Sequence, residues 1–340
     1  MTTVTPSAEP RPNPPDGPAE PRARARARKP LTASRRANRA GLAFVSPTFL
    51  VVLVVVVLPI LWTVLLAFQH AKLVDIQGMG LIGNWSLDNF RQVFDSAGFW
   101  SSLGTTLIYT AGSTFGSIAL GLVAALALRR PFRGRGFLRA AMLLPYVAPV
   151  VAVAFVWEVA LSPQYGIVNE WGRRLFGWDD PIAFLSTRSY EVGLLGVHFE
   201  IPLALFTVIA FEIWRYFPFA FLFILARLQA VPDGLEEAAK VDGATLTQTF
   251  RHVLLPQLMP VIALLSVLRF IMTFNKFDDV YLLTGGGAGT DVAAVRVYDF
   301  LTARYDVGAA AAQALVLAVA LMVLLGLYFK FFGNKMQEES

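Results

Sequence analysis

The chain has 340 residues, of which 56% are hydrophobic and only 16% charged, with a net charge of +5. Soluble domains run about 45–50% apolar and about 25% charged, so this composition belongs to the membrane class. The absence of cysteine excludes disulfides, thiol catalysis and Cys-ligated zinc, and the three histidines (His70, His198, His252) have no ligand-spaced partners.

The first element is a tail. Nine of the 29 basic residues precede residue 42, and the Pro/Ala/Arg stretch 10–28 has no apolar periodicity. Residues 1–42 therefore read as a disordered basic segment that meets anionic lipid headgroups rather than nucleic acid. It lacks the short apolar stretch and small-residue cleavage site of a signal peptide.

A helix needs about 20 apolar residues to cross a bilayer. Residues 40–71 and 96–128 carry no Asp, Glu, Lys or Arg. Six spans are expected, near 43–68, 103–128, 137–161, 201–228, 256–283 and 307–329, with a short tail at 333–340. The fold class is all-α, residues 43–332 forming one transmembrane domain. Placing the N-terminus in the cytoplasm puts nineteen Lys and Arg inside and seven outside, as the positive-inside rule requires. Both termini are then cytoplasmic, in a multi-pass protein of the cell membrane. The stretch Val192–His198 reads as an outer-surface segment leading into the fourth span.

After the fourth span comes VPDGLEEAAKVDGATLTQTFRHVLLPQLMP, residues 231–260. Asp233 and Glu236 have capping-box spacing, Gly234–Val241 reads as a short helix, and Gly243 suits a left-handed turn. A second helix is expected to reach Leu255, with Pro256 opening the next span. Ala238 and Ala239 give the first helix a small-residue face.

The spacing Glu237-Ala238-Ala239, three residues, Gly243, nine residues, Val253, one residue, Leu255-Pro256 resembles the coupling loop of binding-protein-dependent ABC importer permeases. Val253 stands where Ile is usual. The segments FNKFDDVYLLTGGG (274–287), LLPYVAP (143–149) and IWRYFPF (213–219) resemble blocks of the maltose and glycerol-phosphate type of carbohydrate permease, specifically the F-like member of an unequal pair. The resemblance covers roughly residues 45–332. Ala288 stands where Pro normally follows the glycines, and the outer segment 184–203 is extended.

The resemblance implies a type I importer permease fold. It also implies a second, G-like permease, a cytoplasmic ATPase dimer that binds ATP and Mg, and an extracytoplasmic solute-binding protein. Glu237, Ala238, Ala239, Asp242, Gly243 and Pro256 would then contact the ATPase. Substrate contact is carried onto Tyr146, Trp214, Phe219, Phe274 and Asn275, although Val150 and Phe219 replace hydroxyl-bearing residues there. Rise per residue lets Tyr146, Trp214, Phe274 and Asn275 face one cavity. The other reading of the aromatics is packing between helices. Asn275 favours a wet face, since an amide in lipid is costly unless paired.

Among intramembrane charges, Glu212 and Arg215 have (i, i+3) spacing, as do Lys276 and Asp279, so local pairing is expected. Arg269 has no near partner in sequence. No G-x-x-x-x-G-K-[ST] occurs, so the chain has no P-loop and ATP must be hydrolysed elsewhere. The alternatives are an importer permease for another small solute, or a secondary transporter, which would show internal repeats. An intramembrane enzyme would need facing acids or a metal set, and adjacent Asp278 and Asp279 make a poor dyad.

Overall fold

A computed structural model describes residues 44–74, 85–194 and 197–338. The expected basic tail, 1–42, lies outside them. The chain divides into two units, Met1–Pro59 and Ile60–Ser340, and every site below lies in the second.

The helices in chain order are α1 Phe44–Ala67, α2 Asp88–Asp95, α3 Phe99–Leu128, α4 Arg135–Val147, α5 Val150–Leu161 and α6 Ile167–Phe176. After a hairpin come α7 Leu203–Gln229, α8 Asp233–Val241, α9 Leu246–Phe274, α10 Asp278–Thr284, α11 Ala293–Thr302 and α12 Val307–Glu338. Helices α1, α3, α7, α9 and α12 are each long and apolar enough to cross a membrane, and α4 with α5 forms a sixth, broken span.

Three spans depart from the sequence expectation. The third is bent by 96° between α4 and α5. Its cause is legible: Pro149 has no N–H to continue the helix, and proline pushes the preceding Ala148 to an extended backbone, ψ 143°. The fifth begins ten residues earlier than expected, because α9 runs through Pro256 from Leu246, with a π-turn at Phe250–Leu254 just before that proline. It also ends at Phe274, and the stretch expected to complete it forms the separate helix α10. Helix α12 likewise continues to Glu338, through most of the stretch expected as a tail.

The segment before α7 holds the two described strands. Strands β1 Tyr190–Leu194 and β2 Val197–Ile201 pair antiparallel, with Glu191 opposite Glu200 and Gly193 opposite His198. Beside it, α6 is fixed by buried Asn169, whose amide donates to the carbonyls of Ser162 and Ile182 and whose oxygen accepts from the Ile182 N–H. Hydrogen bonds from Arg173, then Arg174, hold the Glu170 carboxyl below the usual glutamate range.

The core sits where α3 meets α7. In lipid, helices associate by close packing rather than by escaping water, and small residues permit that approach. Here the small residues are Gly112, Gly116 and Gly121. A Cβ at Gly116 would lie 2.2 Å from Ile213, and one at Gly121 would lie 2.7 Å from the Ala220 Cβ and 2.8 Å from the Phe221 nitrogen. Phe217, Ala220, Phe221 and Ile224 of α7 are buried against Ile118, Ala125 and Leu128 of α3, with Leu258 and Leu265 of α9 closing the cluster. Phe115, Phe137, Val147 and Phe155 face outward, as lipid-exposed side chains should.

Candidate functional site

The segment after α7 folds into two helices joined by a tight turn. Gly243 takes φ 77°, the left-handed conformation expected of it. Helix α8 starts one residue earlier than the expected capping box at Asp233 requires. Pro232 is the N-cap of α8, and Glu236 is engaged elsewhere. The box lies one helix later: Thr245 accepts from the Gln248 N–H, and Gln248 Oε1 accepts from the Thr245 N–H. That second helix continues into the fifth span without a break.

This arrangement presents Glu237, Ala238, Asp242 and Gly243 to the outside, with Ala239 half-buried beneath them and Pro256 exposed further along. Around them stand three exposed apolar residues, Leu235, Val241 and Leu246, the last two 87% and 78% exposed. The same end of the molecule is wired by arginines. Arg129, just past α3, donates from both terminal nitrogens to the two carboxylate oxygens of Glu236, at 2.5 Å each. Arg139 of α4 donates to the Leu128 carbonyl and Arg135 to that of Arg129. Arg227 at the end of α7 donates to the Gln257 carbonyl and side-chain oxygen.

The five residues expected in a substrate cavity separate into groups. Tyr146 meets Phe219 at 6.0 Å between ring centroids and Tyr216 at 5.8 Å, edge-on. Trp214 packs on Trp157 and lines a groove of about 530 Å³ with Pro145, Ala148 and Val153 at the α4–α5 bend. Asn275 is exposed at the end of α9 and donates to the Ile271 carbonyl. Phe274 does not join them. It is buried to 1%, stacked on Phe270 and packed against Ala293 and Leu317. Neighbouring residues on a helix point about 100° apart, so Phe274 and Asn275 cannot share a wall here.

Beside Tyr146 lies a charge network that local spacing does not reveal. Arg215 pairs with Asp279 at 2.8 Å and Arg269 with Glu212 at 2.9 Å, so the expected Glu212–Arg215 pair is replaced by two cross-helix pairs. The expected Lys276–Asp279 contact is present at 3.5 Å, with Asp278 also near. Tyr216 sits at the centre. Lys276 donates to its hydroxyl at 2.5 Å, and the Arg269 guanidinium lies 4.3 Å from its ring centroid. Arg269 and Glu212 are fully buried, which is tolerable in a membrane only because each neutralises the other. The signal in the sequence was the balance of charge: three cations, Arg215 in α7, Arg269 in α9 and Lys276 just after it, face three acids (Glu212, Asp278, Asp279).

The glycine loop after α10 also has a specific geometry. Gly285 and Gly286 are left-handed, and so is Ala288 at φ 51°. Proline, locked near φ −65°, could not hold that conformation, so alanine in place of the usual proline accompanies a turn that proline forbids.

Five long apolar helices, a sixth broken span and an exposed helix–turn–helix suit a transport subunit, and comparison with known proteins agrees. The family model described as the inner membrane component of binding-protein-dependent transport systems matches residues 117–337. The chain belongs to this family. It is 39% identical over 253 residues to the inner membrane ABC transporter permease protein YcjO of Escherichia coli, covering 73% of this chain and 81% of that one. It is 32% identical over 266 residues to the trehalose/maltose transport system permease MalF of Thermococcus litoralis, covering 78% and 83%. A crystallised bacterial ABC transporter for the acidic polysaccharide alginate has a chain of the same fold, with a TM-score of 0.73 at 22% identity over 92% of this chain and 99% of that one. The permease is thus a multi-pass membrane protein built on the ABC importer permease fold.

Proposed function

We propose that this permease translocates a sugar or oligosaccharide delivered by an extracytoplasmic binding protein, driven by ATP hydrolysis on a separate cytoplasmic ATPase dimer. Its second membrane subunit is a paralogous G-like chain. The N- and C-termini and the α8–α9 turn face the cytoplasm. The chain binds no cofactor itself, and ATP with Mg belongs to the ATPase.

The observation that carries this reading is the surface of α8 and its turn. Val241 and Leu246 are apolar, strongly exposed and flank a rigid left-handed glycine. An apolar knob at the watery end of a membrane protein asks for a protein cleft to cover it. Glu237, Ala238, Ala239, Asp242 and Gly243 form the contact, and Pro256 marks the passage into the span. On the solute side, Tyr146, Phe219 and Trp214 offer ring faces for the apolar faces of sugars, and Asn275 offers an exposed amide for hydroxyls.

The test is purification in mild detergent, followed by uptake and ATP-hydrolysis assays. The parent chain is expected to bring down an ATPase, a second permease and a binding protein. Gly243→Asp puts a side chain on a backbone at φ 77°, and Glu237→Lys reverses the exposed contact charge. Each should uncouple hydrolysis from uptake while leaving membrane insertion intact. Unchanged uptake in both variants would remove the coupling assignment.

A further inference from the structure

We infer that the Glu236–Arg129 pair is a positioning link that turns motion of α8 into a swing of the half-helix α4. This rests on the coupling role proposed above for α8.

Glu236 and Glu237 are adjacent but divide the work. Glu237 points outward, whereas Glu236 points inward and is held by Arg129 through two parallel hydrogen bonds, with the two side chains 20% and 17% exposed. A bidentate guanidinium–carboxylate pair fixes orientation as well as distance, so it transmits rotation better than a single contact. Ala239, on the same side of α8, is half-buried and gives no comparable grip.

The link continues beyond Arg129. The carbonyls of Leu128 and Arg129 accept from Arg139 and Arg135, which both lie on α4. The end of α3 is therefore clamped on one side by α8 and on the other by α4. At its far end α4 meets the 96° bend at Ala148–Pro149, the natural turning point for a swing. Tyr146 sits two residues before that bend, against Tyr216 and Phe219, so a swing displaces it least and the Arg135–Phe137 end most. A pull on Glu236 thus reaches α4 through three arginines.

The chain has no cysteine, so introduced ones label uniquely. Spin labels at Phe137→Cys on α4 and Leu222→Cys on α7, both exposed, report the α4–α7 distance. The distance is read by pulsed electron resonance in the complex with its co-purified ATPase, with and without ATP plus vanadate. The parent should shift between two distances. Glu236→Arg and Arg129→Glu should each reduce the shifted population at least about fivefold, the low end of ordinary coupling between sites. The exchanged pair, Glu236→Arg with Arg129→Glu, should restore it. Glu236→Gln, which keeps shape and loses charge, should fall between. ATPase attachment should persist throughout, separating a lost link from a lost fold. A full shift in both single variants, no recovery in the exchanged pair, or no shift in the parent overturns the link. If no ATPase accompanies the parent chain, the importer reading falls first and takes this proposal with it.

Discussion

The α3–α7 seam and the α8–α9 turn are built in opposite ways. At the seam, glycines bring two backbones together until no added carbon fits, and buried charges neutralise each other across helices. At the turn, apolar side chains stand in the open, and α8 is tied to α3 by an ion pair. The first arrangement is close-packed, with its buried arginines paired to acids. The second leaves apolar side chains uncovered, which is the surface proposed above for the ATPase. The contrast sets a closed region of the permease against an open one.

Substitutions can break or sharpen that contrast. The largest effect is expected at Arg269→Leu, which strands the Glu212 carboxylate in a fully buried site and should cost roughly 3–5 kcal/mol. Thermal unfolding in detergent would measure it, and pairing the change with Glu212→Leu should recover most of the loss. Next comes Gly121→Ala, whose methyl meets the Phe221 backbone and should cost about 1–3 kcal/mol by the same assay. The smallest is Val241→Ser with Leu246→Ser, where stability should move by less than about 0.5 kcal/mol per site. Yet this last pair should lose the ATPase in a pull-down. A large stability loss there, or retention of the ATPase, would erase the distinction between the two regions.

Much of the fold was legible because lipid imposes a coarse rule. Runs without Asp, Glu, Lys or Arg marked α1 and α3 closely, since an unpaired charge is costly across a bilayer. What the rule cannot register is direction. Pro145 and Pro149 were visible, but the apolar run continues through them and composition alone is silent about a bend. The early end of α9 was similarly masked, because Phe277, Val280 and Leu283 prolong the apolar pattern into α10. The hairpin at 190–201 escaped because its alternation is short and abuts the apolar start of α7.

The site was legible where chemistry is local and obscure where it is not. Gly243 could be read as a left-handed turn because the requirement lies in its own backbone. Arg269 could not be understood alone, since its partner Glu212 is 57 residues away on another helix. Spacing rules pair residues three and four apart and so suggested Glu212 with Arg215, whereas the fold gives each a different partner. Glu236 was assigned to a cap for the same reason, and its true partner lies 107 residues earlier.

The elbow between α4 and α5 has one more effect. Its arms have 13 and 12 residues, about 20 Å and 18 Å long at 1.5 Å per residue, so neither alone traverses the roughly 30 Å of hydrocarbon. Because Pro149 cannot donate to the oxygen of Pro145, the corner keeps a main-chain acceptor that belongs to the peptide link and not to any side chain. Replacing residue 145 with another amino acid leaves that oxygen where it is. Pro149→Ala, in contrast, would restore the N–H that could occupy it.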